Sequence, residues 1–217
     1  SKTEKAPVQA EAKKGRTHAR RVIGIGSSTG GPPALQQLLT RLPSDLGAAI
    51  VIAQHMPERF TRAFAERLDR VIPLKVCEIE EGMELHTGTV YIAPGNMNVG
   101  VEPGGPHDDE VTVCRLRTPK DTGGSVQLTP SADQLFESLA DRFGPDLCAV
   151  VLTGMGSDGT AGASTVKDCG GRVVVEDPDT AVMPGMPHSV VDAGLADEVA
   201  ALETLHERVQ AWLASRH

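Results

Sequence analysis

The sequence predicts an α/β fold: a mostly parallel, doubly wound sheet with helices on both faces and a short antiparallel hairpin region. Apolar runs at residues 22–25, 48–53, 148–152 and 172–176 have the composition of parallel strands that are covered on both faces. Segments with helical spacing separate most of these runs. The middle third instead reads as short strands joined by turns, with a Pro-Gly-Gly-Pro tip at residues 103–106, which indicates antiparallel strands.

Each element is predicted from its local pattern. The first strand ends in glycines, and the prolines at residues 32–33 suit the first turn of a following helix. The next helix is amphipathic, with Phe60, Phe64 and Leu68 four residues apart on one face. The predicted order is strand 22–25, helix 34–42, strand 48–53, helix 58–70, antiparallel strands in 84–93 and 98–116, helix 131–143, strand 148–152, helix 161–168, strand 172–176 and helix 202–214.

Composition excludes several functional classes. The 217 residues carry a net charge of −8 and only 3% aromatic residues, which disfavours nucleic-acid binding as the function. The longest apolar run, residues 46–53, is far shorter than the roughly 18 residues that cross a bilayer, so no membrane insertion is expected. Residues 1–19 are polar and lack apolar periodicity, so we interpret them as a flexible tail or linker and residues 20–217 as one domain.

The cysteines indicate a reducing compartment. Cys77, Cys114, Cys148 and Cys169 are widely spaced and form no Cys-x-x-Cys pair. This pattern fits reduced thiols in a cytoplasmic protein better than a zinc site or a secreted disulfide scaffold. No signal peptide opens the chain, which agrees with a cytoplasmic location.

A glycine-rich turn at residues 24–31, between the first strand and first helix, allows two interpretations. A dinucleotide-binding fingerprint would need glycine or alanine where Thr29 stands, and the acidic residue expected after the next strand is replaced by Gln54-His55. The alternative is a nucleophile elbow, because Gly26-x-Ser28-x-Gly30 has the G-x-S-x-G spacing. A turn without chemistry is the third possibility.

Two further strand ends supply candidate partners for Ser28. His55 follows the second strand, and Asp158 lies in a glycine-rich loop after the strand at 148–152. In open α/β sheets ligands bind beyond the carboxyl ends of the strands, so three such residues converge. A serine nucleophile needs a base and a group that orients the base, and these three residue types provide both. Asp158 could instead cap the helix that begins near residue 161.

Other histidines compete with His55. His188 could line the same cleft, His86 lies in a region of strands and loops, and His107 stands among acidic residues in a solvated loop. A metal site is disfavoured because no histidine pair has the helical i, i+4 spacing. The chain order Ser28, His55, Asp158 differs from that of α/β-hydrolases, chymotrypsin and subtilisin, which disfavours an ordinary lipase or esterase.

These segments together resemble the catalytic domain of the chemotaxis protein-glutamate methylesterase (CheB) family. The similar stretches recur in the family's order between about residues 22 and 199. They are residues 23–31, 53–57, 91–95, 129–133, 152–159 and 185–187.

The resemblance implies a site and a reaction. Ser28 would be the nucleophile, His55 the general base and Asp158 its orienting acid. Thr29 would help hold the histidine, and the amide of Met155 would help form the oxyanion hole. The family hydrolyses γ-glutamyl methyl esters on cytoplasmic helices of chemoreceptors, releasing methanol without a cofactor or metal, and some members deamidate receptor glutamines.

The resemblance also implies a regulatory partner, an amino-terminal receiver domain that the chemotaxis histidine kinase phosphorylates. The 217 residues contain no such domain, and the polar stretch at 1–19 is then the end of the linker to it. Three departures bear on receptor choice and substrate affinity: Leu128-Thr129 stands where a basic pair is common, Ser157 replaces an asparagine, and the loop at residues 103–122 is unusually acidic. Two other hypotheses stay open, a catalytically idle scaffolding domain and a nucleotide-binding module.

Overall fold

The chain folds around a seven-stranded sheet in which every neighbouring pair of strands is parallel. The structure is a computed structural model, and it describes residues 17–105, 108–119 and 128–215. The strand order in the sheet is β3-β4-β2-β1-β7-β8-β9, and β5 and β6 form a separate antiparallel pair. The elements are β1 (Val22–Ser27), α1 (Gly31–Thr40), β2 (Ala49–Gln54), α2 (Glu58–Val71), β3 (Lys75–Glu78), β4 (Thr89–Ile92), β5 (Asn98–Gly105), β6 (Asp108–Arg117), α3 (Ala132–Phe143), β7 (Leu147–Val151), α4 (Thr160–Asp168), β8 (Arg172–Glu176), α5 (Gly185–Asp192), β9 (Glu198–Ala200) and α6 (Leu202–Ala214).

Two hydrophobic cores lie on the two faces of this sheet. Successive residues of a strand point to opposite faces, so Ile50 and Ile52 of β2 enter one core while Ala49 and Val51 enter the other. Helices α1, α2 and α6 contribute to the first core, and α3, α4 and α5 contribute to the second. The predicted doubly wound α/β class, including the antiparallel pair, is confirmed.

Two glycines of β1 let α3 approach the sheet closely. A Cβ atom at Gly24 would lie 2.8 Å from Leu139 Cδ1, and one at Gly26 would lie 2.7 Å from the Cβ of Ala132. Any larger residue would therefore push α3 away from β1. The close approach places the amino end of α3 beside the carboxyl end of β1.

The predicted antiparallel strand at 84–93 is wrong for its second half. Residues 89–92 form β4, which pairs in parallel with both β2 and β3 inside the main sheet. Only Glu84 and His86 form antiparallel bridges, with Val113 and His18 respectively. Short strands show the same local pattern in either orientation, so the partner decides the direction.

Several smaller features differ from the predicted elements. Phe64 and Leu68 are buried as predicted, but Phe60 is 47% exposed at the first turn of α2. The sequence did not predict β3, α5 or β9, which are short. The tail predicted for residues 1–19 lies almost wholly outside the described residues. In the described ranges, no helix combines the length and apolar character that crossing a membrane requires.

Candidate active site

Three adjacent strands carry the predicted site residues. Ser28 follows β1, His55 follows β2, and the loop that contains Asp158 follows β7. In the sheet β1 lies between β2 and β7, so the chain leaves β1 toward one side and later returns on the other. Such a switch point is where open α/β sheets form their binding crevice.

The turn after β1 is fixed from both sides. The amide of Ser28 donates to the carbonyl oxygen of Thr153 at 3.0 Å, which ties it to the loop after β7. The buried side chain of Gln54 donates to the carbonyl oxygens of Ser28 and His55, each at 2.9 Å, and accepts from the Ser27 hydroxyl at 2.7 Å. One amide side chain therefore sets the main-chain positions of both the candidate nucleophile and the candidate base.

The loop after β7 packs directly against Ser28. A Cβ atom at Gly154 would lie 2.8 Å from the Cβ of Ser28 and 2.2 Å from Met186 Sδ, so only glycine fits there. The Thr153 hydroxyl donates to the carbonyl oxygen of Thr29 at 2.9 Å and accepts from the amide of Met183 at 2.9 Å. Thr153 thus joins the turn after β1 to the segment that precedes α5.

His55 and Asp158 form a short hydrogen bond across the crevice. His55 Nε2 lies 2.6 Å from Asp158 Oδ2, and both side chains are almost fully buried, at 8% and 11% exposure. The other ring nitrogen, Nδ1, is buried and has no hydrogen-bond partner among the residues described. An ionised carboxylate only accepts hydrogen bonds, so Nε2 carries the hydrogen and Nδ1 of the neutral ring carries the lone pair.

Asp158 binds the amino end of α3 rather than that of α4. Its Oδ1 accepts from the Ser131 hydroxyl at 3.0 Å and from the amide of Asp133 at 2.9 Å, and its Oδ2 accepts from the amide of Ala132 at 2.7 Å. Burial by itself raises the pKa of Asp158. The hydrogen bonds from His55 and from these helix amides outweigh that effect and hold the pKa below its usual 3.8.

Asp133 makes the reciprocal contact. Its Oδ1 accepts from the amides of Gly159 and Gly162, each at 2.8 Å, at the amino end of α4. Burial, together with the charge of nearby Asp158, raises the pKa of Asp133 to about 6. Asp158, just before α4, thus accepts from the first amides of α3, and Asp133 of α3 accepts from the first amides of α4. These contacts fix the backbone on both sides of Asp158.

Two backbone amides beside Ser28 remain available for an oxyanion. In the part of the chain that the structure describes, the amides of Thr29 and Met155 have no hydrogen-bond partner. In nucleophile elbows the amide that follows the nucleophile is one oxyanion donor, and a neighbouring loop provides the second. Thr29 follows Ser28 in sequence, and Met155 follows Gly154, which packs against Ser28. The oxyanion role of these amides stays a prediction.

The remaining candidates lie as follows. Thr29 and Met155 are exposed. Among the described residues no hydrogen bond joins Thr29 to His55, so the predicted support of the histidine by Thr29 stays a prediction. His188 is exposed on α5. His86 lies near the amino ends of the strands, at the opposite edge from Ser28. His107 lies outside the described residues.

A family model described as CheB methylesterase matches residues 23–209, which include every element from β1 to most of α6. The chain belongs to the CheB methylesterase family. It is 42% identical over 206 residues to the protein-glutamate methylesterase/protein-glutamine glutaminase 3 of Geobacter sulfurreducens, covering 94% of this chain and 54% of that one. It is 45% identical over 186 residues to the corresponding protein 2 of Nitratidesulfovibrio vulgaris, covering 86% and 49%.

A solved structure of the family has the same fold. The crystal structure of the Thermotoga maritima CheB methylesterase catalytic domain superposes with a TM-score of 0.80 at 39% identity, covering 87% of this chain and 96% of that one. The matched region thus includes nearly all of that catalytic domain. It spans about half the length of the curated relatives described above, at 54% and 49%.

Sequence reasoning missed the residues that support the site. Gln54 holds the two strand ends together, while Ser131 and Asp133 fix Asp158 at the start of α3. Gln54 is next to His55 in sequence, but the hydrogen-bond partners of its side-chain amide are known only from the structure. The 129–133 stretch carried part of the family resemblance, and its contact with Asp158 depends on the packing of α3 against β1.

Proposed function

We propose that this domain hydrolyses γ-glutamyl methyl esters on the cytoplasmic helices of chemoreceptors, releasing methanol. The observation that carries the proposal is the 2.6 Å hydrogen bond between His55 and Asp158, which leaves Nδ1 of the imidazole buried and, within the described ranges, without a hydrogen-bond partner. The amide of His55 donates to the carbonyl oxygen of Ser27 at 2.9 Å, which holds the base next to the turn of Ser28. Family membership supports the reaction class, because the relatives are named protein-glutamate methylesterases. The names also include glutaminase, so the second candidate activity is deamidation of receptor glutamines.

In the first half of the proposed reaction, the Ser28 hydroxyl oxygen attacks the ester carbonyl carbon and its proton passes to His55. Since Nε2 donates to Asp158, the proton goes to Nδ1, and the resulting imidazolium lies against the Asp158 carboxylate. The depressed pKa of Asp158 keeps that carboxylate ionised throughout the neutral range. Substrate binding would bring Ser28 into hydrogen-bond distance of Nδ1.

The second half releases methanol and regenerates the enzyme. The oxyanion of the tetrahedral intermediate accepts hydrogen bonds from the amides of Thr29 and Met155. Collapse of the intermediate breaks the carbon–methoxy bond, and the proton on His55 leaves with methoxide as methanol. Water then attacks the γ-glutamyl ester on Ser28 and gives a proton to His55. The bond between the acyl carbon and Ser28 Oγ breaks as His55 returns that proton to the serine oxygen, and a glutamate carboxylate remains on the receptor. No cofactor or metal enters this sequence.

The surroundings of Ser28 suit an ester that is carried by another protein. Met155 is 57% exposed and Val182 is 70% exposed. A Cβ atom at Gly30 would lie 3.0 Å from the Cβ of Val182, so this valine stands next to the turn of the nucleophile. A side chain that projects from a helix can reach such an open site while the helix that carries it stays folded.

The partners and the location are part of the same proposal. Substrate helices of chemoreceptors are cytoplasmic, so we place the domain in the cytoplasm. The family resemblance supports an amino-terminal receiver domain, phosphorylated by the chemotaxis histidine kinase, as the regulatory partner. We expect the 217-residue chain, without a receiver domain, to be active in the absence of a phosphoryl donor. Fusion of the native receiver through residues 1–19 should lower the initial rate, and phosphorylation should restore it.

The experiment is methanol release from chemoreceptor membranes whose glutamates carry labelled methyl groups. The 217-residue chain should release labelled methanol, and Ser28→Ala should lose on the order of 10⁶-fold of the rate because it removes the nucleophile. Ser44→Ala is the matched control, since Ser44 is an exposed serine just before β2, at the other edge of the sheet. Circular dichroism establishes that both variants are folded.

The same assay separates the alternatives. Ammonia release from unmethylated receptors with glutamine at these positions would assign the glutaminase activity to the same serine. A folded chain that releases neither product from any receptor of its source organism would contradict the proposal and favour a scaffolding role. Saturable nucleotide binding without hydrolysis would favour the nucleotide-binding hypothesis.

A further inference from the structure

Two histidines and a glutamate meet at the edge of the sheet that lies opposite Ser28. His18 and His86 face each other across a short antiparallel bridge. The amide of Ala19 donates to the carbonyl oxygen of Leu85 at 2.9 Å, and the amide of Thr87 donates to that of Thr17 at 3.0 Å. In a pair bonded this way the two facing side chains lie on the same side at close distance.

Glu84 joins this pair through the alternation of the strand. Residues two apart on a strand share a face, so Glu84 lies on the same side as His86. Glu84 Oε2 is 3.6 Å from His86 Nε2 and 3.9 Å from His18 Nδ1, and all three ligand atoms lie within 4.8 Å of one another. The imidazole ring centroids are 5.0 Å apart.

The hydrogen bonds of His86 leave its second nitrogen facing a carboxylate. His86 Nδ1 is 3.1 Å from the carbonyl oxygen of Glu84, which only accepts, so Nδ1 carries the hydrogen. The lone pair of the neutral ring is then on Nε2 and faces Glu84 Oε2. A metal ion placed between these two atoms would accept the lone pair of the imidazole nitrogen and neutralise the carboxylate charge. A ring whose Nδ1 donates to a backbone carbonyl has the usual orientation of a metal-binding histidine.

The backbone that carries two of these ligands is fixed. The Tyr91 hydroxyl donates to the carbonyl oxygen of Glu84 at 2.8 Å and accepts from the amide of His86 at 2.9 Å. The amide of Leu85 donates to the carbonyl oxygen of Thr112 at 2.8 Å. The side chains themselves are partly exposed, at 42%, 48% and 27% for His18, Glu84 and His86, so an ion can enter from solvent.

We propose that His18, Glu84 and His86 form a binding site for a divalent transition-metal ion, with Zn²⁺ as the best-matched ion. Two imidazole nitrogens and one carboxylate oxygen are a common zinc ligand set, with metal–ligand distances of about 2.0–2.2 Å. Tetrahedral ligands at that distance are about 3.4 Å apart. The two separations from Glu84 are 3.6 Å and 3.9 Å, and the two imidazole nitrogens lie within 4.8 Å, so side-chain rotations would have to shorten all three as the ion binds. Three protein ligands leave the fourth position to water.

The site would tie the segment before β1 to the body of the domain. His18 belongs to the short stretch that enters the domain ahead of β1, whereas Glu84 and His86 precede β4. An ion shared by these residues cross-links two segments that are 66 residues apart in sequence at their nearest ligands, Glu84 and His18. The inference is independent of the proposed ester hydrolysis, since the site lies at the other edge of the sheet.

The experiment is calorimetric titration of chelator-treated, reduced protein with ZnCl₂, paired with thermal unfolding with and without Zn²⁺. The unchanged chain should bind one equivalent at this site and show a Zn²⁺-dependent rise in Tm. His18→Gln, Glu84→Gln and His86→Gln should each lower the Zn²⁺ affinity of this site by at least about ten-fold and reduce the rise in Tm. His188→Gln, which alters an exposed histidine on α5, should leave both readouts unchanged.

Further measurements keep the result decisive. The four cysteines are present in every variant, so zinc bound to thiols cancels in the comparison. Circular dichroism without zinc identifies any variant that fails to fold, and Glu84→Gln offers the mildest change. An anomalous peak at the zinc edge between His18 and His86 in a zinc-soaked crystal would support the site directly. Equal Zn²⁺ affinity in the unchanged chain and in a folded His18→Gln/His86→Gln double variant would overturn the proposal.

Discussion

Replacing Asp158 by asparagine tests the part of the site that the structure defines best. The carboxylate accepts four hydrogen bonds, two at each oxygen: Oδ2 accepts from His55 and the amide of Ala132, and Oδ1 accepts from Ser131 and the amide of Asp133. An asparagine has only one acceptor oxygen. In either orientation its NH₂ group therefore faces a backbone amide that also donates.

The expected losses follow from those contacts. One backbone amide loses its acceptor, and the other donors now bond to a neutral oxygen in place of a charged carboxylate. Hydrogen bonds to charged groups contribute about 1.5–3 kcal/mol each. We expect the free energy of unfolding of Asp158→Asn to fall by about 3 kcal/mol. If the NH₂ group faces His55, the ring adopts the wrong tautomer, which in other Ser-His-Asp enzymes lowers kcat by about 10⁴-fold.

Ser131→Ala is the matched comparison. It removes one of the four hydrogen bonds and the cap that the Ser131 hydroxyl provides to the amide of Gln134. A lost cap costs about 1 kcal/mol of stability, while the bond between His55 and Asp158 stays intact. We expect kcat to fall less than about ten-fold. The assays are methanol release and urea unfolding. A folded Asp158→Asn that keeps kcat within ten-fold of the unchanged chain would refute the assigned role of the acid.

Three further predictions address the base, the second acid and the support of the turn. In methanol-release assays His55→Gln should lose nearly as much kcat/KM as Ser28→Ala, because no base remains to accept the serine proton, whereas His188→Gln should keep the rate of the unchanged chain. Asp133 has its pKa raised to about 6, so the folded state binds more protons than the unfolded state between about pH 4 and 6 and loses stability as pH rises through that window. Asp133→Asn keeps an acceptor oxygen and removes the repulsion from Asp158, so urea unfolding should show it gaining on the order of 1 kcal/mol relative to the unchanged chain above pH 6. Gln54→Leu leaves buried carbonyl oxygens without donors and should lower the free energy of unfolding by about 2–4 kcal/mol, with kcat falling more than KM changes in steady-state assays.

Local sequence pattern predicted the frame of the domain well where elements are long and periodic. The predicted helix at 202–214 coincides with α6, and the apolar runs that predicted parallel strands became β1, β2, β7 and β8. The run at 84–93 was assigned to an antiparallel pair, yet its second half is a parallel strand. Strand direction is a property of the partner, and local pattern carries little information about it.

Of the site, the sequence could predict only those residues that follow directly from the convergence of the strand ends. Parallel strands bring their carboxyl ends to one edge, so Ser28 and His55 could be named from their positions alone. The partners of Asp158 could not, because they depend on how closely α3 packs on the glycines of β1. Likewise, Glu84 and His86 share a strand face by simple alternation, but the antiparallel bridge that brings in His18 is a tertiary contact. The spacing rule that disfavoured a metal site applies to helices and misses this arrangement.

The most direct test of the central claim, that His55 and Asp158 activate the Ser28 hydroxyl, is covalent labelling with a fluorophosphonate followed by mass spectrometry. Such reagents form a stable phosphonyl ester with an activated serine, so they report nucleophile activation without a receptor substrate. Activation of Ser28 by His55 and Asp158 predicts a single adduct on Ser28, with a labelling rate that drops by several orders of magnitude in His55→Gln. An adduct on another serine, or an unchanged labelling rate at Ser28 in folded His55→Gln, would contradict it.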